Sequence, residues 1–398
     1  MSLFSAVELA PRDPILGLNE QFAADPNPNK VDLGVGVYFD DNGKLPLLKC
    51  VQAAEKALMD APKPRGYLPI DGIAAYDDAV KKLVFGADSE AYKASRIATI
   101  QGLGGTGGLK IGADFLKKLS PGAKVLISDP SWENHRALFT QAGFEVGAYR
   151  YYDAATRRLN FDGMLADLQA AAPGAVVVLH ACCHNPTGYD IAPAQWDQVI
   201  AVVKQGRLTP FLDMAYQGFA GGIAEDGAVV GKFVAAGLDF LVATSFSKSF
   251  SLYGERVGAL SVLCASKPEA SKVLSQLKIM IRTNYSNPPT HGGAVVAAVL
   301  NDPALRAQWE EELAEMRSRI KLMRGQLVAG LKAAGVKQDM SFITTQVGMF
   351  SYSGLSKDQM VRLRNEFGVY GTDTGRMCVA ALNSKNIGYV CQAIAKVI

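Results

Sequence analysis

From about residue 97 the chain alternates short β-branched or apolar runs with helical patterns, and this ordering restricts the fold more than any other feature of the sequence. Such an order is satisfied when successive strands lie side by side in one sheet and the intervening helices cover its faces. The runs that read as strands are Ile97 to Gln101, Lys124 to Ser128, Phe144 to Tyr149, Val176 to Ala181, Pro210 to Met214, Phe240 to Ser245 and Val257 to Cys264. Together they predict an α/β fold built on one large, mostly parallel sheet of seven strands.

Beyond the predicted sheet the period changes. Asp302 reads as a helix N-cap with Pro303 at the first helical position, and apolar residues recur at 305, 309, 313, 316, 320, 323, 327 and 331. Spacings of three and four put them on one stripe of a single helix. At ~1.5 Å per residue a helix from Pro303 to Ala334 would run about 45–50 Å, longer than one domain requires, so a bridge between two lobes is expected. Gly335 supplies the stop. The remaining stretch, with short strands such as Gly348 to Tyr352 and two helical patterns, reads as a smaller α+β lobe, onto which the Pro- and Asn-rich first 45 residues pack. The predicted division is a large domain over 46–315 and a small domain made of 1–45 and 316–398, bridged by the helix at about 303–334.

With 41 basic and 38 acidic side chains in 398 residues, the net charge is only +3, too weak a field to recruit nucleic acid or an anionic membrane. A small molecule is the expected partner. Apolar runs such as Ala175 to Leu179 fall far short of the ~20 residues a spanning helix needs. Met1 to Pro14 carry Glu8 and Asp13 and lack a basic flank before an apolar core, so no export signal is expected. The six cysteines are scattered without a C-x-x-C pair, which predicts neither a disulfide framework nor a zinc site and fits a reducing cytoplasm.

In an open parallel sheet, ligands bind beyond the carboxyl ends of the strands. Every unusual polar cluster of this sequence falls on that rim: Gly102 to Gly108 with Thr106 after the first strand, and Pro130, Ser131 and Trp132 after the second. His184 to Gly188 follow the fourth, Asp213 and Tyr216 the fifth, and Ser245, Ser247 and Lys248 the sixth. Taken singly, each has a structural explanation. A glycine run before a helix is often a tight turn, Asn185-Pro186 ends a strand, Asp213 could cap a helix, and a lone lysine is usually solvated. Cys182 and Cys183, read as strand neighbours, should point to opposite faces and pack instead of sharing a metal. His180 and His184 are four apart, but Pro186 keeps them off a helix, so no metal site is predicted. His135 and His180 are expected to stand behind residues that touch a bound ring.

Two functions can be assembled from these parts. In one, Gly102 to Gly107 (G-x-G-x-x-G) holds the pyrophosphate of a nicotinamide dinucleotide and Asp129 takes its ribose, giving a dehydrogenase. In the other, the glycine run and a basic residue hold one phosphate, Lys248 forms a Schiff base with an aldehyde cofactor, and Asp213 pairs with a protonated pyridine nitrogen. The second employs more of the rim, because the first leaves Asp213, Tyr216, Ser245, Lys248 and Arg256 without a task.

The segment Ser245-Phe246-Ser247-Lys248-Ser249-Phe250-Ser251-Leu252-Tyr253-Gly254-Glu255-Arg256-Val257-Gly258 resembles the lysine segment of the class I pyridoxal-phosphate aminotransferases, the aspartate and aromatic-amino-acid branch. So do His184-Asn185-Pro186-Thr187-Gly188, Asp213 with Ala215-Tyr216-Gln217-Gly218-Phe219, and Asn284-Tyr285-Ser286-Asn287-Pro288-Pro289, in register from about Asp13 to the C-terminus. Gly375-Arg376-Met377-Cys378-Val379 is most similar to the bacterial aromatic-amino-acid (tyrosine) members. The resemblance implies a fold-type I transferase with pyridoxal 5'-phosphate in the large domain, and reversible exchange of an amino group between an aromatic amino acid (tyrosine, phenylalanine) or aspartate and 2-oxoglutarate. An aspartate-preferring enzyme is the near alternative.

It further implies roles for single residues. Lys248 would carry the cofactor aldehyde and later shuttle the proton, Asp213 would pair with the pyridine nitrogen, and Tyr216 and Asn185 would bond the phenolic oxygen. Gly105, Thr106, Ser245 and Arg256 would bind the phosphate, and Trp132 would lie against the ring. Arg376 would clamp the substrate α-carboxylate, with Gly36, Trp132 and Asn185 beside it, and Arg282 would meet a side-chain carboxylate. Arg282 and Tyr67 would reach into a neighbouring subunit, which implies a homodimer with shared sites. One departure is Asp373, in Gly371-Thr372-Asp373-Thr374-Gly375, where the family usually has small residues; its carboxylate is expected to face solvent and not Arg376.

Overall fold

The computed structural model describes every residue except Met1, Arg12 and Pro14, so the expectation about an export signal over Met1 to Pro14 falls partly outside the described residues. The predicted strands form at Ile97–Leu103 (β1), Lys124–Asp129 (β2), Glu145–Arg150 (β3), Val176–His180 (β4), Thr209–Met214 (β5), Phe240–Ser245 (β6) and Val257–Leu263 (β7). They make one 7-stranded sheet in the order β1-β7-β6-β5-β4-β2-β3. Only β7 is antiparallel, with Val257 opposite Leu103 and Gly258 opposite Ser245; the other pairs are parallel. The central strands read as unbroken apolar runs because both faces are covered. Side chains alternate between two cores: Val177, Leu179, Leu212 and Val242 enter one, and Val176, Val178, Phe211, Leu241 and Ala243 enter the other.

Two local expectations are corrected. The glycine run is not a loop ahead of a helix at Leu109: β1 extends to Leu103 and the helix Gly104–Leu119 begins inside the run. Gly104 adopts φ +68, and a Cβ on Gly258 of β7 would collide with the Gly104 carbonyl. These glycines let the helix N-terminus rest directly on β7. The second correction concerns Cys182 and Cys183. The strand stops at His180 and Cys183 takes φ +51, so the alternation of faces no longer applies. Both thiols are buried and, with a carboxylate oxygen of Asp226, lie within 4.8 Å of one another. The Asp226 carboxylate is occupied by the amides of Gly218, Ala220 and Gly221.

The long helix spans Pro303–Ala333, with the Asp302 side chain accepting from the amides of Ala304 and Leu305. Its predicted stripe is buried from Trp309 to Leu331, with Leu305 half-buried. Trp309 donates to Ser249 O at 2.7 Å, just past Lys248, and Arg317 donates to Gly218 O at 2.7 Å. Farther along, Arg319 donates to Leu382 O at 2.6 Å, so one helix touches both the sheet's loops and the C-terminal elements. Those elements include a ribbon of Phe350–Tyr352 against Arg376–Cys378 and the helices Lys357–Phe367 and Ile387–Val397. The predicted strand at Gly348 starts at Phe350 instead. The N-terminal pair Val31–Asp32 adds to Val369–Tyr370 in parallel, which docks the chain's beginning on its end. Among the described residues no helix is long and apolar enough to cross a membrane.

Leu313 is fully buried on this helix and packs on Gly218. Leu313→Ala is expected to cost about 2–5 kcal/mol, read as a lowered midpoint in urea unfolding; an unchanged midpoint would remove the helix from the shared core.

Candidate active site

The carboxyl rim of the sheet and the C-terminal elements enclose a cavity of about 320 Å³. Of the residues singled out in the sequence, Gly36, Gly105, Thr106, Trp132, Asn185, Asp213, Tyr216, Ser245, Lys248, Arg256 and Arg376 line it. Residues bonded within β-strands cannot shift by one position without turning every side chain over, so strand ends hold these groups firmly. Asp213 sits near the end of β5 and Ser245 ends β6. Arg256 immediately precedes β7 at φ +54, and the first turn of Gly104–Leu119 presents Gly105 and Thr106.

Asp213 is buried, and His135 Nε2 lies 2.9 Å from its Oδ2. An ionised carboxylate only accepts, so His135 donates through Nε2, and its Nδ1 is hydrogen-bonded to the Ser131 hydroxyl at 2.9 Å. Burial alone would raise the Asp213 carboxyl; the bond and electrostatics of His135, aided by Lys248, outweigh it and hold the group below its ordinary value. His180 stacks obliquely between His135 and His184, with ring centroids at 5.0 and 4.3 Å. Burial pushes its pKa down to about 3, so the ring is neutral.

Lys248 Nζ stands 4.8 Å over the Tyr216 ring. Burial lowers its pKa to about 8; Asp213 opposes this, while Arg256 and Arg376 add to it. An amine of that kind is a far better nucleophile at neutral pH than an exposed lysine. Burial pushes the Tyr216 phenol upward. Arg256 donates to Tyr253 O at 3.0 Å and weakly to Ser247 Oγ at 3.5 Å. Arg376 is only 1% exposed and donates to Asn185 Oδ1 at 3.0 Å and Gly34 O at 2.6 Å, with the Phe350 ring 4.3 Å from its guanidinium carbon. Among the described residues its Nε finds no acceptor. Both arginines therefore spend their charge on neutral oxygens. Arg256 is exposed, whereas Arg376 is buried, and a buried cation in that state gains strongly from an anion brought to it.

Asp373 pairs with Arg364 at 2.9 Å and does not line the cavity, so it faces away from Arg376. Asp129, the ribose ligand of the dehydrogenase reading, is exposed and also absent from the lining. Tyr67 is 95% exposed, and Arg282, in the last turn of Lys267–Asn284, is exposed and bonded to Ser286 Oγ; neither reaches this cavity. His180, Ala215, Ser247 and Tyr253, also named from the sequence, line it too, and Ile15, Val35, Val37, Leu109 and Phe350 complete the walls without having been singled out. Phe350 fell within a predicted strand, but which face of a short ribbon meets a cavity depends on its partner strand.

The family model for aminotransferase class I and II matches residues 28–394. The aspartate aminotransferase of Pseudomonas aeruginosa is 61% identical over 398 residues, covering 100% of both chains. The aromatic-amino-acid aminotransferase of Escherichia coli is 50% identical, covering 99% of this chain and 100% of that one. The crystal structure of aromatic-amino-acid aminotransferase from Burkholderia pseudomallei, covalently bound to pyridoxal phosphate, superposes with a TM-score of 0.97 at 66% identity over 100% of both chains. With a rim of these residues and relatives matching end to end, the chain belongs to the class I and II aminotransferases and is an enzyme of that family.

Proposed function

We propose that the protein transfers an amino group between an aromatic L-amino acid or aspartate and 2-oxoglutarate, with pyridoxal 5'-phosphate as its cofactor. The observation that carries this reading is a nucleophilic lysine of lowered pKa between a buried carboxylate and two arginines that lack carboxylate partners. The donor set fits the cofactor. A Cβ on Gly105 would stand 3.1 Å from Ser245 Cβ and one on Gly104 2.5 Å from an Arg256 nitrogen, so only glycine leaves room at this cradle. The helix amides there and Arg256 suit a phosphate, Lys248 suits an aldehyde, and Asp213 suits a protonated ring nitrogen.

When bound, the cofactor supplies an electron sink for the substrate α-carbon. The chain supplies the rest. Asp213, held below its ordinary pKa chiefly by His135, would hold the proton of the ring nitrogen. Tyr216, Asn185 and Trp132 would help to hold the ring. Lys248 would be the amine that accepts and returns a proton at the substrate α-carbon. Arg376 fixes the α-carboxylate by a bidentate contact that a lysine could not copy. The apolar wall of Ile15, Val35, Val37, Leu109 and Phe350 favours an aromatic side chain. The aspartate-preferring alternative is supported by the exposed guanidinium of Arg282, whose hydrogen bond goes to the neutral Ser286 hydroxyl.

The exposure of Tyr67 and Arg282 supports a homodimer in which each serves the neighbouring site. The division into a large domain over 46–315 and a small one from 1–45 and 316–398 belongs to the same reading, with closure over substrate excluding water. Six buried, unpaired cysteines support a reducing, cytoplasmic setting.

Lys248→Ala is expected to retain cofactor but lose transamination by roughly 10²–10⁴-fold, measured as single-turnover half-reactions; wild-type turnover would sink the reading. In wild type stripped of cofactor, capture of pyridoxal phosphate should quicken as pH rises through about 8, not 10.5, because the ammonium form cannot attack. Arg282→Leu should lower kcat/KM for aspartate by roughly 10–150-fold, the equivalent of one charge-assisted bond, and leave phenylalanine nearly untouched. Asp373→Ala should leave KM for every substrate within about twofold; a large common fall would mean that its carboxylate competes for Arg376.

A further inference from the structure

Arg324 lies on the long helix Pro303–Ala333, 2% exposed, and all its hydrogen-bond acceptors are neutral. It donates to Ile343 O at 3.3 Å, Gln346 Oε1 at 3.5 Å, Gly348 O at 2.8 Å and Phe350 O at 2.5 Å. Burial pushes its pKa down to about 10, so it remains a cation at neutral pH. A buried charge held by carbonyl dipoles is costly compared with a hydrophobic residue of similar size, which makes its location informative. Every acceptor belongs to the stretch 343–350, and Gln346 Oε1 is held in turn by Ser351 Oγ at 2.5 Å.

That stretch is a seam. Val347 N donates to Gly188 O at 2.7 Å, on the loop that carries Asn185. Gly348, at φ +78, is pressed against Cys183. Phe350 then pairs in register with Cys378, two residues beyond Arg376. Its ring lies 4.3 Å from the Arg376 guanidinium carbon, edge-on to Tyr216 with centroids at 5.8 Å, and so close to Gly36 that a Cβ there would come within 2.7 Å. One face of the guanidinium is covered by Phe350, its edge is tied to Asn185 and Gly34, and the residue lines the cavity.

We propose that Arg324 is a positioning residue for substrate binding: by gathering the carbonyls of 343–350 it sets Phe350 against Arg376 and so orients the guanidinium that receives the substrate α-carboxylate. The inference rests on Arg376 being that clamp. Because the α-carboxylate is common to all substrates, the effect of losing Arg324 is blind to the side chain, unlike that of Arg282.

The test compares the holoenzyme with Arg324→Lys, Phe350→Leu, the double variant and Arg376→Leu, each assayed with phenylalanine, aspartate and 2-oxoglutarate. Lysine keeps the charge and part of the bonding, which preserves the fold while loosening the seam. Arg324→Lys is expected to raise KM about fivefold for all three substrates, with kcat within about twofold and the cofactor's absorbance unchanged. Phe350→Leu should do the same, and the double variant should be no worse than the poorer single one, since both act through one ring. Independent, multiplying KM effects, or a lowered melting temperature in Arg324→Lys with KM unmoved, would overturn the proposal. If Arg376→Leu itself left KM unchanged, the clamp reading would fail instead; a raised KM there with none in Arg324→Lys would fail Arg324 alone.

Discussion

The cavity is organised by an imbalance of charge along its lining. Lys248, Arg256 and Arg376 project into it, and the carboxylate that faces them, Asp213, is already bonded to His135. A cation as buried as Arg376 is expensive unless something completes it. Arg376 leans on an amide oxygen, a carbonyl and an aromatic face; Arg256 leans on a carbonyl and a hydroxyl. Burial lowers the Lys248 pKa to about 8, and the two arginines add to that against the opposing pull of Asp213.

Holding that arrangement is the work of the fold. Adjacent parallel strands bring Asp213 and Ser245 to one edge, and β7, running the other way, returns Arg256 to the same edge. The helix Gly104–Leu119 can start against β7 only because Gly104 and Gly258 lack side chains. From the opposite side the long helix ties Ser249 and Gly218 to the C-terminal ribbon that carries Arg376. Asp213 and Ser245 are therefore fixed by the backbone hydrogen bonding of their strands and not by side-chain contacts alone.

Much of this was legible from local pattern. The strands sit within a few residues of their predicted ends because β-branched runs flanked by turns leave little freedom, and the long helix runs from Asp302's cap along its stripe of apolar residues to Ala333. The failures share a cause. Cys182 and Cys183 were assigned strand alternation, but the backbone leaves the strand at His180 and turns through φ +51. The glycine run was given to a loop, whereas packing on β7 makes it the opening of a helix. In both cases a tertiary contact overrode a local rule.

By itself, the sequence determined the alternating layers, the rim on which the polar residues gather and the chemical kinds available there, because these follow from periodicity and from the order of strands and helices. Only the tertiary structure decided which charges meet. That Asp373 turns to Arg364, that Arg376 lies under Phe350, and that Arg324 gathers the carbonyls of 343–350 depend on segments far apart in the chain. Electrostatic energy varies with distance and burial, and neither quantity is defined until the chain has folded.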